Sequence, residues 1–206
     1  MSEAQRSEAW YEERRGKFTS SRINELMGIK GLGKTGETYA FEMACDIVMG
    51  LDPDDDYQSF DMQRGVELEP YAFEHFKQSV SEDFLSVETT GFITINEYTG
   101  GSPDGIVGGI DPLEIKVPKR NKFLRLVMNN EIDQLYIDQM QHQMWGLKSE
   151  KAYFYNYIVF KGVEYGHKIL LPRDEQRIDL MKVRIKEAIG LREEFVNQLI
   201  KNKQWK

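Results

Sequence analysis

Residue 84 separates two kinds of hydrophobic periodicity, and that change constrains the fold more than any single motif. Upstream, apolar residues recur at helical spacing. "SEAWYEERRG" reads as a short helix with Ser7 as N-cap and Gly16 just past its end. "SSRINELMG" puts Ile23, Leu26 and Met27 at helical spacing, and Thr35 can cap a further helix through "GETYAFEMACDIVMG". "SFDMQRGVELEPYAFEHFKQS" reads helical on both sides of Pro70. Proline pushes the residue before it out of the α region, which predicts a kink or a helix restart at Glu69. Downstream, "FLSVETTGFITI", "GGSPDGIVGG" and "PLEIKVP" are short, β-branched and punctuated by Gly and Pro, the pattern of strands and turns. "IDQLYIDQMQHQMWGLK" returns to helix. "KAYFYNYIVF" and "VEYGHKILL" read as two strands joined by a turn at Lys161-Gly162, and the segment from Asp174 onward reads as one long amphipathic helix. No internal repeat or long linker interrupts this order. It predicts an α/β fold in a single domain over residues 1–206, with helices packed on a mixed sheet.

Charge narrows the function. The formal net charge of -7 argues against a general nucleic-acid coat. Its distribution is uneven, however. Asp52 to Asp56 form an acidic stretch, "DPDDD", whereas "KVPKRNKFLR", Lys116 to Arg125, holds five basic residues and no acid. That run is either a solvated helix start or a local phosphate-binding edge on an acidic protein. A single cysteine, Cys45, rules out an internal disulfide and fits a reducing cytoplasm. No apolar run approaches the ~20 residues needed to cross a bilayer, and "MSEAQRSEAW" lacks a signal-peptide core, so a cytoplasmic protein without a membrane partner is expected.

Residues 28 to 35, "GIKGLGKT", satisfy the pattern of a nucleotide-binding phosphate loop. That chemistry needs a buried strand leading into the loop, and the preceding "SSRINELM" is a capped helix. It also needs a Mg2+-binding acid at the end of an apolar strand, and "YFYNYIVF" ends in Lys161. The string therefore reads as a glycine loop between helices.

"GGSPDGIVGGIDPLEIKVP" is more informative. Glu114 follows Asp104 by ten residues, so in a hairpin both carboxylates can meet at one edge of the sheet. Glu114 and Lys116 are two apart and share a strand face. Converging carboxylates make a hard-oxygen site for Mg2+ or Mn2+. A neighbouring lysine can orient or deprotonate a water, or offset charge on a phosphorane. Together these parts can hydrolyse a phosphodiester. The plain alternatives are a turn aspartate and a surface Glu–Lys pair. Pro-Asp followed at hairpin distance by acid-x-Lys arises by chance in roughly one chain in ten. Pro53-Asp54 is a second Pro-Asp without such a sequel. A third acid would strengthen the site. Glu69 is the candidate and Glu67 its competitor.

These residues carry a family resemblance. "GSPDG" followed by "LEIKVP" resembles the PD-(D/E)XK nuclease motif as it occurs in the phage lambda exonuclease, or YqaJ-type, recombination nucleases. In the same order, "EAWYEERRGKFTSS", "RGVELEP", "YIDQMQHQMW" and the terminal "KQWK" are similar to further motifs of that family. The resemblance implies a restriction-endonuclease-like core and a Mg2+-dependent, 5′-to-3′ digestion of one strand of duplex DNA. It implies that Glu69, Asp104 and Glu114, with the Ile115 carbonyl, hold metal. Lys116 would then position water with support from Gln139. Arg14, Thr19, Ser21 and Ser102 would grip the 5′-phosphate of a DNA end, chemistry that suits a guanidinium fork and hydroxyl donors. Spacing from Trp10 to Gly16 favours Arg14 over Arg15, and Thr19 and Ser21 could equally cap the following helix. The resemblance further implies a ring-shaped homotrimer, a single-strand annealing partner, and a phage or prophage origin in a bacterial host. A structure-specific endonuclease with the same site and a catalytically idle DNA-end-binding protein are the competing readings.

Overall fold

The computed structural model describes residues 7–50 and 60–202; the acidic stretch Asp52 to Asp56, the Pro53-Asp54 pair and the terminal "KQWK" lie outside them. Helix α1 (Glu8–Arg14) starts where Ser7 Oγ accepts the Trp10 N–H at 3.2 Å, and Gly16 turns the chain away with φ +66°. After strand β1 (Phe18–Thr19), Ser20–Leu26 form a 3-10 helix rather than an α-helix. The buried residues explain this: Ser20, Ile23 and Leu26 recur every three residues, the period of the tighter helix. Helix α2 (Gly33–Met49) begins upstream of Thr35, because the Gly36 N–H already bonds the Leu32 carbonyl at 3.3 Å; Thr35 is an exposed first-turn residue and not its cap.

Helix α3 (Phe60–Ser79) runs through Pro70 without a restart. The proline removes one helical hydrogen bond, to the Val66 carbonyl. Burial of Ala72 and Phe76 against the sheet holds the helix on course beyond it.

The strands are β2 (Val87–Glu88), β3 (Ile93–Asn96), β4 (Thr99–Gly101), β5 (Gly105–Val107), β6 (Asp111–Lys116), β7 (Lys151–Phe160) and β8 (Val163–Pro172). They form two sheets, β1-β4-β3 and β2-β5-β6-β7-β8. In the larger sheet only β6 and β7 are parallel, with Glu114 opposite Phe154 and Lys116 opposite Asn156. A parallel pair needs a crossover. Helices α4 (Arg120–Asn129) and α5 (Gln134–Leu147) supply it. Strands β7 and β8 join at Lys161 and Gly162, both with positive φ, the geometry of a tight hairpin turn. The long helix α6 is Glu175–Lys201.

Helices cover both faces of β7, which explains its near-continuous apolar sequence. Tyr153, Tyr155 and Tyr157 pack with Ala72 and Phe76 of α3, while Ala152 and Phe154 pack with Met140 and Met144 of α5 and Leu126 of α4. A second core joins Met181, Ile185 and Ala188 of α6 to Ile23, Leu26 and Tyr39. Among the described residues no helix is long and apolar enough to cross a membrane.

Candidate active site

Asp104 immediately precedes β5, and β6 outruns β5 at this point. The Asp104 N–H bonds the Leu113 carbonyl at 3.0 Å. Its Oδ2 accepts the Ile115 N–H at 2.6 Å, replacing the backbone partner that β5 no longer supplies. Gly105 permits the approach: a Cβ there would lie 2.9 Å from the Phe73 ring and 3.1 Å from the Glu88 carbonyl. The two carboxylates come from the adjoining strands of the hairpin, within the sheet rather than on an outer strand. They meet on its middle strand, because β5 is three residues long and β6 is six.

Glu114 is 1% exposed, which excludes a surface ion pair. Lys116 Nζ donates to its Oε1 at 2.5 Å and Gln143 Nε2 to its Oε2 at 3.1 Å. The Lys116 ammonium also stands 5.0 Å from the centre of the Tyr136 ring. Burial works against that charge, but Glu114 and Asp104 outweigh it and hold Lys116 above the ordinary lysine value. Asp104 is pushed well above the usual carboxylate range, first by burial and next by the Glu114 charge. Lys116 and the Ile115 N–H oppose the shift, and Glu69 adds to it. The cluster thus has more negative charge than its one lysine offsets.

Glu69 of α3 lines a cavity of about 370 Å3 with Ile115, Lys116, Lys122, Tyr136 and Asn156, whereas Glu67 is exposed. Among the described residues no three His, Cys, Asp or Glu side chains are arranged as a ready metal cage. Both oxygens of Glu114 are hydrogen-bonded, one to Lys116 and one to Gln143. The donor set nonetheless suits a hard divalent ion: neighbouring carboxylates, one of which, Asp104, burial and then the Glu114 charge keep from ionising easily.

Sequence reasoning pointed to Gln139, which is buried on α5, but the hydrogen bond to Glu114 comes from Gln143, one turn further on. Tyr136, Gln139 and Gln143 follow helical spacing along β6, with contacts to Lys116 at one end and Glu114 at the other. The signal was present in "YIDQMQHQMW" as a repeat of polar residues on one face. Asn156 had no such signal. It is fully buried, and neither side-chain polar atom has a partner among the described residues.

A second polar group lies between α1, β1 and β4. The Arg14 guanidinium sits 4.1 Å above the Trp10 ring and 5.9 Å from the Phe92 ring. Among the described residues no carboxylate forms an ion pair with it, and burial lowers its pKa. Arg15, by contrast, is exposed and pairs with Glu12 at 3.4 Å. Trp10 Nε1 donates to Ser102 Oγ at 3.0 Å. The Thr19 N–H donates to the Tyr39 hydroxyl at 2.8 Å, and Thr19 Oγ1 lies 3.4 Å from both that hydroxyl and Ser21 Oγ. Thr19 precedes the 3-10 helix without a side-chain capping bond. Arg22 stacks 4.0 Å from the Tyr39 ring but is already paired with Glu25 and Glu42, each at 2.7 Å. The structure therefore gathers Arg14, Thr19, Ser21 and Ser102 through Trp10 and Tyr39, two residues that sequence reasoning did not assign to the site. A partly buried guanidinium with no ion-paired acid among the described residues, together with hydroxyl groups, has donor chemistry suited to an anion.

The basic run divides. Lys116 is paired with Glu114, while Lys122 stands 5.6 Å from the centre of the Tyr136 ring and bonds Asp133 at 2.7 Å. Lys122 and Arg125 continue from the active-site cavity into an open one of about 450 Å3 along α4. The glycine loop at 28–35 follows a 3-10 helix, with no strand leading into it and with Lys34 and Thr35 exposed.

Comparison with known proteins gives a consistent picture. The chain superposes on the crystal structure of an alkaline exonuclease, LHK-Exo, from Laribacter hongkongensis with a TM-score of 0.79 and 26% identity, covering 95% of this chain and 97% of that one. The same enzyme in complex with dAMP gives a TM-score of 0.78 at 26% identity, with the same coverage. A phage-related exonuclease from Haemophilus somnus 129PT shares the fold with a TM-score of 0.68 at 17% identity, over 92% of this chain and 99% of the other. None of the curated proteins compared with the chain matches it significantly. Residues 9–147, which carry Arg14, Asp104, Glu114, Lys116 and Gln143, match the YqaJ-like viral recombinase domain, and the chain belongs to that family.

Proposed function

We propose that the protein is a divalent-metal-dependent deoxyribonuclease that degrades one strand of linear duplex DNA from its 5′ end, in the service of phage-type recombination. The observation that carries this reading is the pairing of two sites. Buried Glu114 is held beside Asp104 and Lys116, with Lys116 and Glu69 lining the cavity, and a guanidinium with no ion-paired acid among the described residues lies at the other end of the short segment from Ser102 to Asp104. Hydrolysis alone needs only the first. An end-specific enzyme also needs a receptor for the terminal phosphate. The family relation and the fold shared with an exonuclease crystallised with a mononucleotide support the same reading.

Glu69, Asp104 and Glu114, with the Ile115 carbonyl, would hold Mg2+ or Mn2+. When bound, the ion lowers the pKa of water and neutralises charge on the phosphoryl oxygens. The Lys116 ammonium, one of whose three N–H donors goes to Glu114, keeps two to orient the attacking oxygen and offset negative charge on the phosphorane. Gln143 keeps Glu114 turned toward that point, with Gln139 beside it. Tyr136 and Asn156 wall the cavity that takes the terminal nucleotide, and Arg14 with Thr19, Ser21 and Ser102 takes its 5′-phosphate. The exposed cations of α4 would guide the strand. A homotrimeric ring would place these cations toward a central channel and leave an acidic exterior that does not retain anionic products. A single-strand annealing protein is the proposed partner, and the bacterial cytoplasm the proposed location.

The test is digestion of matched substrates in Mg2+. Linear 5′-phosphorylated duplex should be degraded while closed plasmid circles survive. Equal cleavage of the circles would overturn the end-directed reading, and a mass measurement of the particle checks the trimer.

A further inference from the structure

His142 is fully buried on α5 and belongs to neither polar group above. Its Nδ1 is 2.7 Å from Ser20 Oγ and its Nε2 is 2.5 Å from Thr99 Oγ1. Ser20 stands between Thr19 and Ser21, and its hydroxyl donates to the Gly100 carbonyl at 3.3 Å. With that proton engaged, the imidazole Nδ1–H donates to Ser20, and Nε2 accepts from the Thr99 hydroxyl. A neutral ring satisfies every group in the chain. Burial pushes the imidazole down to about 3, so this form persists near neutral pH.

The next residue on the helix, Gln143, donates to Glu114. Thr99 opens β4, which leads through Ser102 to Asp104. One turn of α5 therefore grips both the junction that carries the anion receptor and the strand that carries the carboxylate. The packing between them leaves little slack. A Cβ on Gly101 would lie 1.9 Å from Ser20 Oγ. The void bounded by Ser20, Gly101, Pro103 and Gln143 measures about 10 Å3.

We propose that His142 is a positioning residue that fixes the anion receptor relative to the Glu114–Lys116 pair, so that an end phosphate held at Arg14 aligns the adjacent linkage for cleavage. The proposal rests on the end-phosphate reading above. A rigid tie matters here because displacement of a reacting group by about 1 Å can cost on the order of 100-fold in rate.

The test compares duplexes ending in 5′-phosphate and 5′-hydroxyl, using wild type, His142→Leu, His142→Asn, Thr99→Val and Arg14→Ala. In His142→Leu the ratio of kcat on phosphate over hydroxyl ends should fall about tenfold, and in Thr99→Val about threefold. The Kd for 5′-phosphorylated ends, measured without divalent ion, should stay unchanged. His142→Asn, which can replace the Nδ1–H donor, should recover part of the ratio. A proportional loss on both substrates overturns the proposal, because a merely structural role lowers them alike. Should His142→Leu not fold, the nearly isosteric Thr99→Val decides between the same two outcomes. Arg14→Ala separates the two levels. If it leaves the ratio untouched, the end-phosphate reading fails. If it collapses the ratio while the His142 and Thr99 variants preserve it, only the positioning role fails.

Discussion

Replacing Arg14 by alanine tests the proposed end-phosphate grip most directly. The guanidinium is stacked on Trp10 at 4.1 Å and has no acid partner among the described residues, so truncation removes a cation without stranding a buried carboxylate. A hydrogen bond to a charged group contributes about 1.5–3 kcal/mol. At 1.36 kcal/mol per factor of ten, its loss lowers kcat/KM on 5′-phosphorylated ends by about 10- to 150-fold. Ends with a 5′-hydroxyl lack the anion and should lose little. The stack on Trp10 contributes to folding as well, by roughly 0.5–2 kcal/mol. For a chain of 206 residues that amounts to a fall of about 1–8 °C in Tm, which a thermal melt checks separately. Arg14→Lys keeps the charge but not the planar fork and should fall between alanine and wild type. The assay is steady-state digestion of two duplexes that differ only in the terminal phosphate. An equal drop on both substrates, or none on either, refutes the assignment of Arg14 to the phosphate.

Asp104→Asn should abolish Mg2+-dependent cleavage yet raise Tm in the absence of divalent ions, since it removes a carboxylate that burial and the Glu114 charge disfavour; a lower Tm would contradict that account. Gln143→Leu withdraws a donor from buried Glu114 and should cost ~2 kcal/mol, or roughly 4–8 °C, measured by thermal melting. Gly101→Ala should destabilise by about 1–3 kcal/mol, because its Cβ would lie 1.9 Å from Ser20 Oγ, whereas Gly91→Ala, with nothing within 4 Å, should be close to neutral; chemical denaturation compares them. The His142 imidazole titrates at about 3 in the fold against 6.5 when free, so below 6.5 the unfolded chain binds the extra proton and stability falls on acidification. Between pH 7.5 and 5.5 that loss is about 1.4 kcal/mol, and it should be absent from the pH dependence of His142→Gln.

Most of the strand and helix order, the hairpin that brings Asp104 to β6, and the shared face of Glu114 and Lys116 were legible because each follows from a period or a spacing within a few residues; strand β1 and helix α4 were not placed. Elements were misread where a local rule met a tertiary constraint. Pro70 signals a break, but the packing of Ala72 and Phe76 carries α3 through it. Ser20–Leu26 has the composition of an α-helix, and a three-residue burial pattern tightened it. Thr35 is a capable cap left unused because the helix closes its first bond from Leu32.

The amino-acid sequence alone determined an α/β domain with two carboxylates and a lysine on adjoining strands, since side-chain alternation and hairpin length are properties of the local chain. Only the tertiary structure decided that Arg14 rather than Arg15 is the partly buried cation, that Gln143 holds Glu114, that Trp10 reaches Ser102 and Tyr39 reaches Thr19, and that His142 bonds both Ser20 and Thr99. Those choices join residues as distant in the chain as Trp10 and Ser102, or Ser20 and His142. No periodicity spans such separations; which side chains meet is set by how the helices lie on the sheet and by which polar groups must find partners once water is excluded.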